Sequence, residues 1–254
     1  MKKFLLLFLA FLLLQSTRAI SSSDVPRIMR IEGVINADTL QKIQRELLGW
    51  KNQDPIPAGL IVLLNSPGGN GEIAMQIGRL LRQKNAQAFV TGHCESACVF
   101  ILAGGVVRAA KTGTVGVHAG RLTITSRDGE IIKEIDASQS LENSFKLTSF
   151  NSMVNQYLFE MGIRNGLIDV MLSYKSKQTY KLTEMEMLEF GIVGFDNEYL
   201  RKRGDLFALL PKSERINRIQ LYNRTLSVPK LCSSQSNDAF IKCYESVLLG
   251  KIPL

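Results

Sequence analysis

The chain has 254 residues, of which 45% are hydrophobic and 21% charged, with a formal net charge of +8 at pH 7. This hydrophobic content is enough for one sizeable core and excludes a disordered chain. Residues 201–254 hold ten Lys and Arg against four Asp and Glu. A nearly neutral body with a basic tail does not have the charge of a DNA-binding domain, so no nucleic-acid partner is expected.

Residues 1–19 have the pattern of a secretory signal peptide. Lys2 and Lys3 precede an apolar run over residues 4–14, and the segment ends in small residues at Ala19. This run covers about half of the roughly 20 apolar residues that span a bilayer. We therefore expect cleavage near Ala19 and a periplasmic or secreted protein. The alternative is an inner-membrane anchor formed by residues 4–14.

The first half of the remaining chain alternates predicted strands and helices. The apolar run that forms the second strand is typical of a parallel sheet that is buried on both faces. This alternation predicts an α/β layered fold. In chain order, the predicted elements are a strand at 27–35, a helix at 38–50, a strand at 58–64, a helix at 72–84, a strand at 86–91, a helix from 96 to 104, and strands at 106–109 and 114–118.

The second half is predicted to begin with a hairpin over 122–135, which has Asp128 and Gly129 at its turn. A long amphipathic helix follows over 138–161. After residue 200 the apolar pattern loosens, so we predict a main domain at 24–200 and a basic C-terminal extension at 201–254. Such a tail is usually a solvated surface, and its functional interpretation is contact with an anionic surface or an acidic partner.

The four cysteines fall into two local pairs. Cys94 and Cys98 are four residues apart, and Cys232 and Cys243 are eleven apart. Of the three possible connectivities, this one closes the shortest loops, and it indicates an oxidising compartment. Four unpaired buried thiols remain the alternative. The spacings do not fit a zinc site, so no metal is expected.

Two strand-to-helix turns carry the residues with catalytic potential. The first, over residues 66–69, contains Gly68 and Gly69, and glycines at a helix start can expose backbone N–H groups to a developing oxyanion. A simple Pro-Gly turn is the alternative. The second turn places Ser96 at a helix start, where a serine can be an N-cap or a nucleophile.

A serine nucleophile needs a base, and the chain has two histidines. His118 ends a predicted strand 22 residues after Ser96, which could return it to the same edge of a parallel sheet. His93 lies within the nucleophile turn itself and is interpreted as structural. The Ser96–His118 pair beside a Gly-Gly turn favours a catalytic role for His118.

Three segments in order are similar to the ClpP/crotonase superfamily, and to its secreted ClpP-like members in particular. They are Ser66-Pro67-Gly68-Gly69, Glu95-Ser96-Ala97-Cys98 and Val117-His118, and the resemblance covers residues 27–195. It implies a repeated β-β-α spiral with a long handle-type helix, and assembly into a homo-oligomer through that helix. It also implies Ser96 as nucleophile, His118 as general base, and oxyanion N–H groups from Gly68 and Ala97.

One position departs from that pattern. The family's third catalytic residue is an Asp, and the matching position here is Lys175. Asp169 lies at least one helical turn too early, and Asp196 lies beyond the final strand. A backbone carbonyl or a displaced acid could orient His118, or the site could be a Ser–His dyad. A degenerate site and a Ser–Lys dyad with Lys175 as a desolvated base are further alternatives.

The leading hypothesis from the sequence is therefore a periplasmic serine hydrolase that acts on a peptide or protein, with no cofactor. A bridge between Cys94 and Cys98 would brace the nucleophile turn. The chain has no phosphate-binding loop of the G-x4-G-K-[ST] type, so no ATPase partner is evident. The competing hypothesis is a catalytically degenerate scaffold or binding protein that keeps the fold for assembly.

Overall fold

The computed structural model of the chain describes residues 27–51, 59–126, 131–175, 178–199, 218–235 and 237–253. The predicted signal peptide, the Asp128-Gly129 turn and the start of the C-terminal extension lie outside these ranges. Of the helices within them, none combines the length and the apolar character needed to cross a bilayer.

The described residues form nine strands, eight α-helices and one short 3₁₀ helix. In chain order they are β1 Arg27–Ile35, α1 Ala37–Lys51, β2 Leu60–Gly69, α2 Gly71–Gln83, β3 Gln87–Glu95, α3 Cys98–Gly104, β4 Val107–Ala109, β5 Val115–Val117, β6 Leu122–Thr125, β7 Ile131–Ile135, the 3₁₀ helix Ala137–Gln139, α4 Leu141–Glu160, α5 Leu167–Ser173, β8 Tyr180–Lys181, α6 Glu184–Glu189, β9 Gly194–Phe195, α7 Arg218–Cys232 and α8 Asn237–Leu248.

The main sheet has the strand order β1-β2-β3-β4-β9, and its first four strands are parallel. Strand β3 is shared between two neighbours. Its first half pairs with β4, whereas Cys94 and Glu95 at its carboxyl end pair with β5. Strand β8 continues the sheet beyond β5 in the antiparallel direction. The carboxyl ends of β2, β3 and β5 therefore meet at one edge, and the predicted α/β fold is confirmed.

Strand β2 explains why the apolar run in the sequence is continuous. Successive side chains point to opposite faces of a sheet, and both faces here are covered. Val62 and Leu64 belong to the core formed with α1 to α4. Ile61 and Leu63 belong to a second core on the other face, together with Phe89 of β3.

The second core corrects the interpretation of the C-terminal region as a solvated tail. Val228 of α7 and Phe240 of α8 are fully buried against the sheet, and the Cys232–Cys243 disulfide joins the two helices. The buried Tyr244 hydroxyl also donates a 2.7 Å hydrogen bond to Gln87 Oε1 of β3. The described part of the extension is thus a layer of the fold. The helical period was hard to recognise in α7 because polar residues and Pro229 interrupt it.

Several element boundaries differ from the predictions. Strand β2 continues to Gly69 and β3 continues to Glu95, because backbone pairing with β1 and β5 persists through glycine-rich sequence. Helix α3 begins at Cys98, so Ser96 lies before the helix. Helix α4 begins at Leu141, after a 3₁₀ turn that Asp136 caps. The two predicted hairpin strands are confirmed as β6 and β7.

Helix α4 is attached to the core through a buried tyrosine. The Tyr157 hydroxyl donates a 2.6 Å hydrogen bond to the Phe100 carbonyl of α3, and its ring packs edge-to-face against the Phe100 ring. Burial raises the pKa of Tyr157 well above its ordinary value, although the nearby Arg82 and Arg79 oppose this shift. The phenol is therefore a neutral donor at every physiological pH.

We predict that Tyr157→Phe lowers the free energy of unfolding by about 1–2 kcal/mol, because it leaves a buried carbonyl without its donor. Denaturant unfolding measures the effect. Tyr174→Phe is the matched control, since the Tyr174 hydroxyl has no protein partner among the described residues. Equal destabilisation by the two variants would contradict the prediction.

Candidate active site

Ser96 occupies a sharp turn between β3 and α3. Its φ of +54° is in the left-handed region, which few residues other than glycine adopt. Such a conformation costs about 1–3 kcal/mol and persists only where neighbouring contacts hold it. The Ser96 N–H donates to the Gly116 carbonyl of β5 at 2.8 Å, and the Ser96 carbonyl accepts from the Val99 N–H at 3.1 Å. The strain is thus located at the predicted nucleophile.

A disulfide brackets this turn. Cys94, near the end of β3, is bonded to Cys98, the first residue of α3, and both side chains are fully buried. Their Cα atoms lie 5.2 Å apart with Ser96 at the centre of the bridged segment. The pairings predicted for Cys94 with Cys98 and for Cys232 with Cys243 are both confirmed.

Gly68, at the end of β2, lies directly against the nucleophile turn. A Cβ placed on Gly68 would come within 2.7 Å of the Ser96 Cβ and 2.7 Å of the Glu95 carbonyl, and within 3.0 Å of the Ala97 nitrogen. Its φ is +103°. Only glycine fits this position, and the structure thus brings the two predicted turns together.

The predicted oxyanion donors differ in their availability. The Gly68 N–H donates to the buried Ser66 hydroxyl at 3.1 Å, and that hydroxyl donates to the Gly33 carbonyl at 2.5 Å. Gly68 must therefore give up or share its acceptor before it can serve an oxyanion. The Ala97 N–H, in contrast, donates to no protein acceptor among the described residues. Ala97 is thus the donor that is ready in this structure.

Gly69 has a packing role, whereas the oxyanion role that its motif indicates stays a prediction. Its backbone packs against that of Ile35 in β1, where an added Cβ would collide with main-chain atoms. The neighbouring Asn70 N–H donates to the Ile35 carbonyl at 2.8 Å, and Asn70 caps α2. Gly69 therefore allows close pairing of β1 and β2, whereas Gly68 contacts the serine turn.

His118 follows β5, the strand next to the nucleophile turn. Glu95 pairs with Gly116, so Ser96 and His118 leave neighbouring parallel strands at the same edge of the sheet. The His118 Nδ1 lies 2.7 Å from the Ala119 carbonyl oxygen. Because a carbonyl can only accept, Nδ1 carries a proton, and in the neutral imidazole Nε2 is then the acceptor that a general base requires.

The loop that corresponds to the family's acid supports this carbonyl from behind. The Ala119 N–H donates to the Tyr174 carbonyl at 2.8 Å, which anchors the residue whose carbonyl oxygen contacts His118. The Tyr174 ring stacks on Tyr180 with centroids 4.3 Å apart. Of the orienting groups left open by the sequence, the backbone carbonyl is the one observed.

No hydrogen bond joins the Ser96 hydroxyl to His118 or His93 within the part of the chain that the structure describes. Nucleophile and base are often farther apart without substrate and approach each other in the complex. The two residues are therefore placed at one edge of the sheet but are not yet engaged.

Neither acidic alternative for the third position forms a hydrogen bond with His118 among the described residues. Asp169 is exposed on α5, and its backbone carbonyl accepts a hydrogen bond from Ser173. Asp196 forms a 2.7 Å ion pair with Arg82 beside β9, which pairs with β4 rather than β5. Lys175 is exposed, so it lacks the desolvation that a lysine base requires.

We predict that Lys175→Ala leaves the reactivity of Ser96 within about twofold of the parent, the range expected of an exposed substitution. The backbone carbonyl of Ala119, rather than the Lys175 side chain, contacts His118. The rate of labelling by a fluorophosphonate measures Ser96 reactivity. A loss of more than tenfold would return Lys175 to the catalytic site.

His93 has a structural place in β3. Its backbone N–H donates to Asn65 Oδ1 at 3.2 Å, and the Asn65 side chain also lies against Gly92. This contact holds a bulge, because the β2–β3 register passes from Leu64–Val90 to Ser66–Cys94. The contact is made by the His93 backbone, so the structural interpretation of its imidazole stays a prediction.

Sequence reasoning missed the groups that support the two catalytic candidates. Ala119 acts through its carbonyl and Ser66 through a buried hydroxyl, and neither belongs to a recognisable side-chain pair. The ion pair between Glu95 and Lys181, which joins β3 to β8 across β5, was also missed. No group of three or more His, Cys, Asp or Glu side chains that could hold a metal occurs among the described residues.

The family model described as Clp protease matches residues 15–140, a range that contains Gly68, Ser96 and His118. No curated protein sequence matches significantly. Two solved structures of variants of 1510-N, a membrane-bound stomatin-specific protease, are similar to the chain at 18% and 19% identity, with TM-scores of 0.46 and 0.47. Both cover 71% of this chain, and 84% and 80% of their own; the second contains a substrate peptide.

The family match and the fold agree on the same assignment. The matched range includes the β2, β3 and β5 strands whose carboxyl ends carry the three motifs. The chain is similar to the ClpP/crotonase superfamily, with a match to the Clp protease family over residues 15–140, and its α/β fold is of the ClpP-like type.

Proposed function

We propose that this protein is a serine peptidase in which Ser96 is the nucleophile and His118 the general base. The observation that carries the proposal is the 2.7 Å hydrogen bond from His118 Nδ1 to the Ala119 carbonyl, one strand away from the strained Ser96 turn. A backbone carbonyl there performs one of the two roles of the family's Asp: it selects the tautomer that leaves Nε2 free for the serine proton, but it carries no charge to stabilise the imidazolium.

The reaction follows the acyl-enzyme scheme. The Ser96 oxygen attacks the peptide carbonyl while His118 Nε2 takes the hydroxyl proton, and the new oxyanion accepts a hydrogen bond from the Ala97 N–H. His118 returns that proton to the leaving amine as the C–N bond breaks. Water then attacks the acyl-enzyme with His118 again as base, which releases the acid product and restores Ser96.

The proposed substrate is a peptide or protein segment, and the proposed state is a homo-oligomer built through α4. This helix buries Val154, Tyr157 and Leu158 in the core but leaves Leu141 91% and Phe145 73% exposed. Large exposed apolar residues on one helix favour a protein interface.

Light scattering tests the proposed homo-oligomer. We expect an oligomer for the parent and a smaller particle for Phe145→Glu, and a monomeric parent would refute the proposal.

The proposed location is the periplasm or the extracellular space, after cleavage near Ala19. Two disulfides support an oxidising compartment. The intact mass of protein purified from a secreting host tests the proposal. A mass that includes residues 1–19 would favour the membrane-anchored alternative through residues 4–14.

A catalytically degenerate scaffold is the second candidate. The missing acid at position 175 and the lack of a Ser96–His118 hydrogen bond among the described residues favour it. In that case the protein would keep the fold for assembly and would hydrolyse nothing.

Fluorophosphonate labelling followed by peptide mass spectrometry separates the two candidates. The peptidase proposal expects a single labelled peptide that contains Ser96, and no label on Ser96→Ala. Ser227→Ala is the matched control, since its hydroxyl donates to the Asn223 carbonyl on the opposite layer of the fold. A folded parent with intact disulfides that takes no label would establish the scaffold.

A further inference from the structure

The Cys94–Cys98 disulfide encloses the residue whose conformation the proposed reaction depends on. Ser96 sits at the middle of the bridged segment with φ of +54°, and Ala97, the ready oxyanion donor, follows it. Both groups therefore move if the bridged turn relaxes. The inference below rests on the proposed function and concerns how this turn is held.

Two contacts exclude different relaxed forms of the turn. A segment of five extended residues would separate the first and last Cα atoms by about 13 Å, whereas the disulfide holds those of Cys94 and Cys98 at 5.2 Å. The helical alternative, in which α3 would extend backwards over Ser96, is compatible with a short Cα separation. It is opposed instead by the 2.8 Å hydrogen bond from the Ser96 N–H to Gly116.

The remaining anchors act on the ends of the segment. The Cys94 N–H donates to the Thr114 carbonyl at 2.8 Å, which fixes the strand side. Cys98 opens a helix whose residues are all buried, which fixes the other side. Gly68 lies against the turn, but among the described residues no hydrogen bond links Gly68 to it. Within the described part of the chain, the disulfide is thus the one covalent cross-link that joins the two sides of Ser96.

We propose that the Cys94–Cys98 disulfide is a positioning device for catalysis, which keeps Ser96 and the Ala97 N–H in their reactive arrangement. It differs in this from the Cys232–Cys243 disulfide, which joins α7 to α8 at the far layer of the fold. A disulfide stabilises a fold more as its loop lengthens, so the short bridge is expected to matter less for stability than the long one.

The test compares Cys94→Ala/Cys98→Ala with the matched pair Cys232→Ala/Cys243→Ala. Two quantities are measured in each full-length protein: the rate of Ser96 labelling by a fluorophosphonate, and hydrogen exchange at the Ser96 and Val99 amides. We expect labelling to slow by about tenfold or more in the first variant, since small displacements at a reacting centre have effects of this size. Exchange at those two amides should accelerate by a similar factor. The second variant should lower Tm further while both quantities stay near those of the parent.

Each outcome decides one of the two proposals. Unchanged exchange at Ser96 and Val99 in the first variant overturns the positioning role, whatever happens to labelling. A parent that takes no label overturns the peptidase proposal, while the exchange comparison still decides whether the bridge holds the turn. If the alanine pair does not fold, Cys94→Val/Cys98→Ala refills part of the buried volume without a link and is judged by the same two measurements.

Discussion

Replacing His118 with alanine is expected to lower kcat/KM for a peptide or ester substrate by about 10⁴-fold or more, the size of effect that loss of the base has in serine peptidases. Without His118 Nε2, no base accepts the Ser96 proton, and a serine hydroxyl that keeps its proton is a weak nucleophile at neutral pH. The hydrogen bond to the Ala119 carbonyl is lost as well, but His118 is only half-buried. Folding should therefore change little.

His93→Ala is the control for this experiment. It removes the other imidazole of the chain, which lies near the carboxyl end of β3, and it keeps the backbone N–H that donates to Asn65. We expect its kcat/KM to remain within about threefold of the parent, as for a surface change outside the reaction path. An equal loss in both variants would show that the base has been assigned to the wrong histidine or that both act.

The second large effect is expected from Gly68→Ala, which should reduce hydrolysis by at least about 100-fold, the size associated with loss of one oxyanion donor. The added methyl group would lie within 2.7 Å of both the Ser96 Cβ and the Glu95 carbonyl. Backbone atoms cannot yield cheaply, so the nucleophile turn has to move. Steady-state kinetics and Tm should be measured together.

Gly113→Ala separates backbone strain from this collision. Gly113 has a φ of +80°, yet an added Cβ would meet nothing within 4 Å. It should therefore lose stability by about 1 kcal/mol from the left-handed conformation alone, with hydrolysis near that of the parent. If Gly113→Ala lost as much activity as Gly68→Ala, contact with the serine turn would not be the cause.

The fold could be predicted where the pattern of apolar and polar side chains depends on it. The apolar run over residues 58–64 indicated a strand buried on both faces, and β2 confirms it. The same pattern could not give the ends of β2 and β3. Those residues pair through main-chain atoms, which glycine-rich and polar sequences have as much as any other.

The candidate site was predictable in its side chains but not in its backbone. Ser96 and His118 stand at positions that a motif can mark, and the register of β3 with β5 brings them to one edge. The group that orients His118 is a carbonyl oxygen of Ala119, and every residue has one. The absence of an acid at position 175 directed attention to other side chains that could orient His118, whereas the orienting group is a backbone atom.

The position of helices α7 and α8 in the chain affects the order in which the protein can fold during its synthesis. A ribosome makes β2 and β3 early, so Ile61, Leu63 and Phe89 exist long before the segments that cover them. Ser96, His118 and their supports all lie upstream of residue 200. The nascent chain can therefore assemble the edge that carries Ser96 and His118 while one face of the sheet is still exposed, and the synthesis of α7 and α8 decides when that face is protected from aggregation.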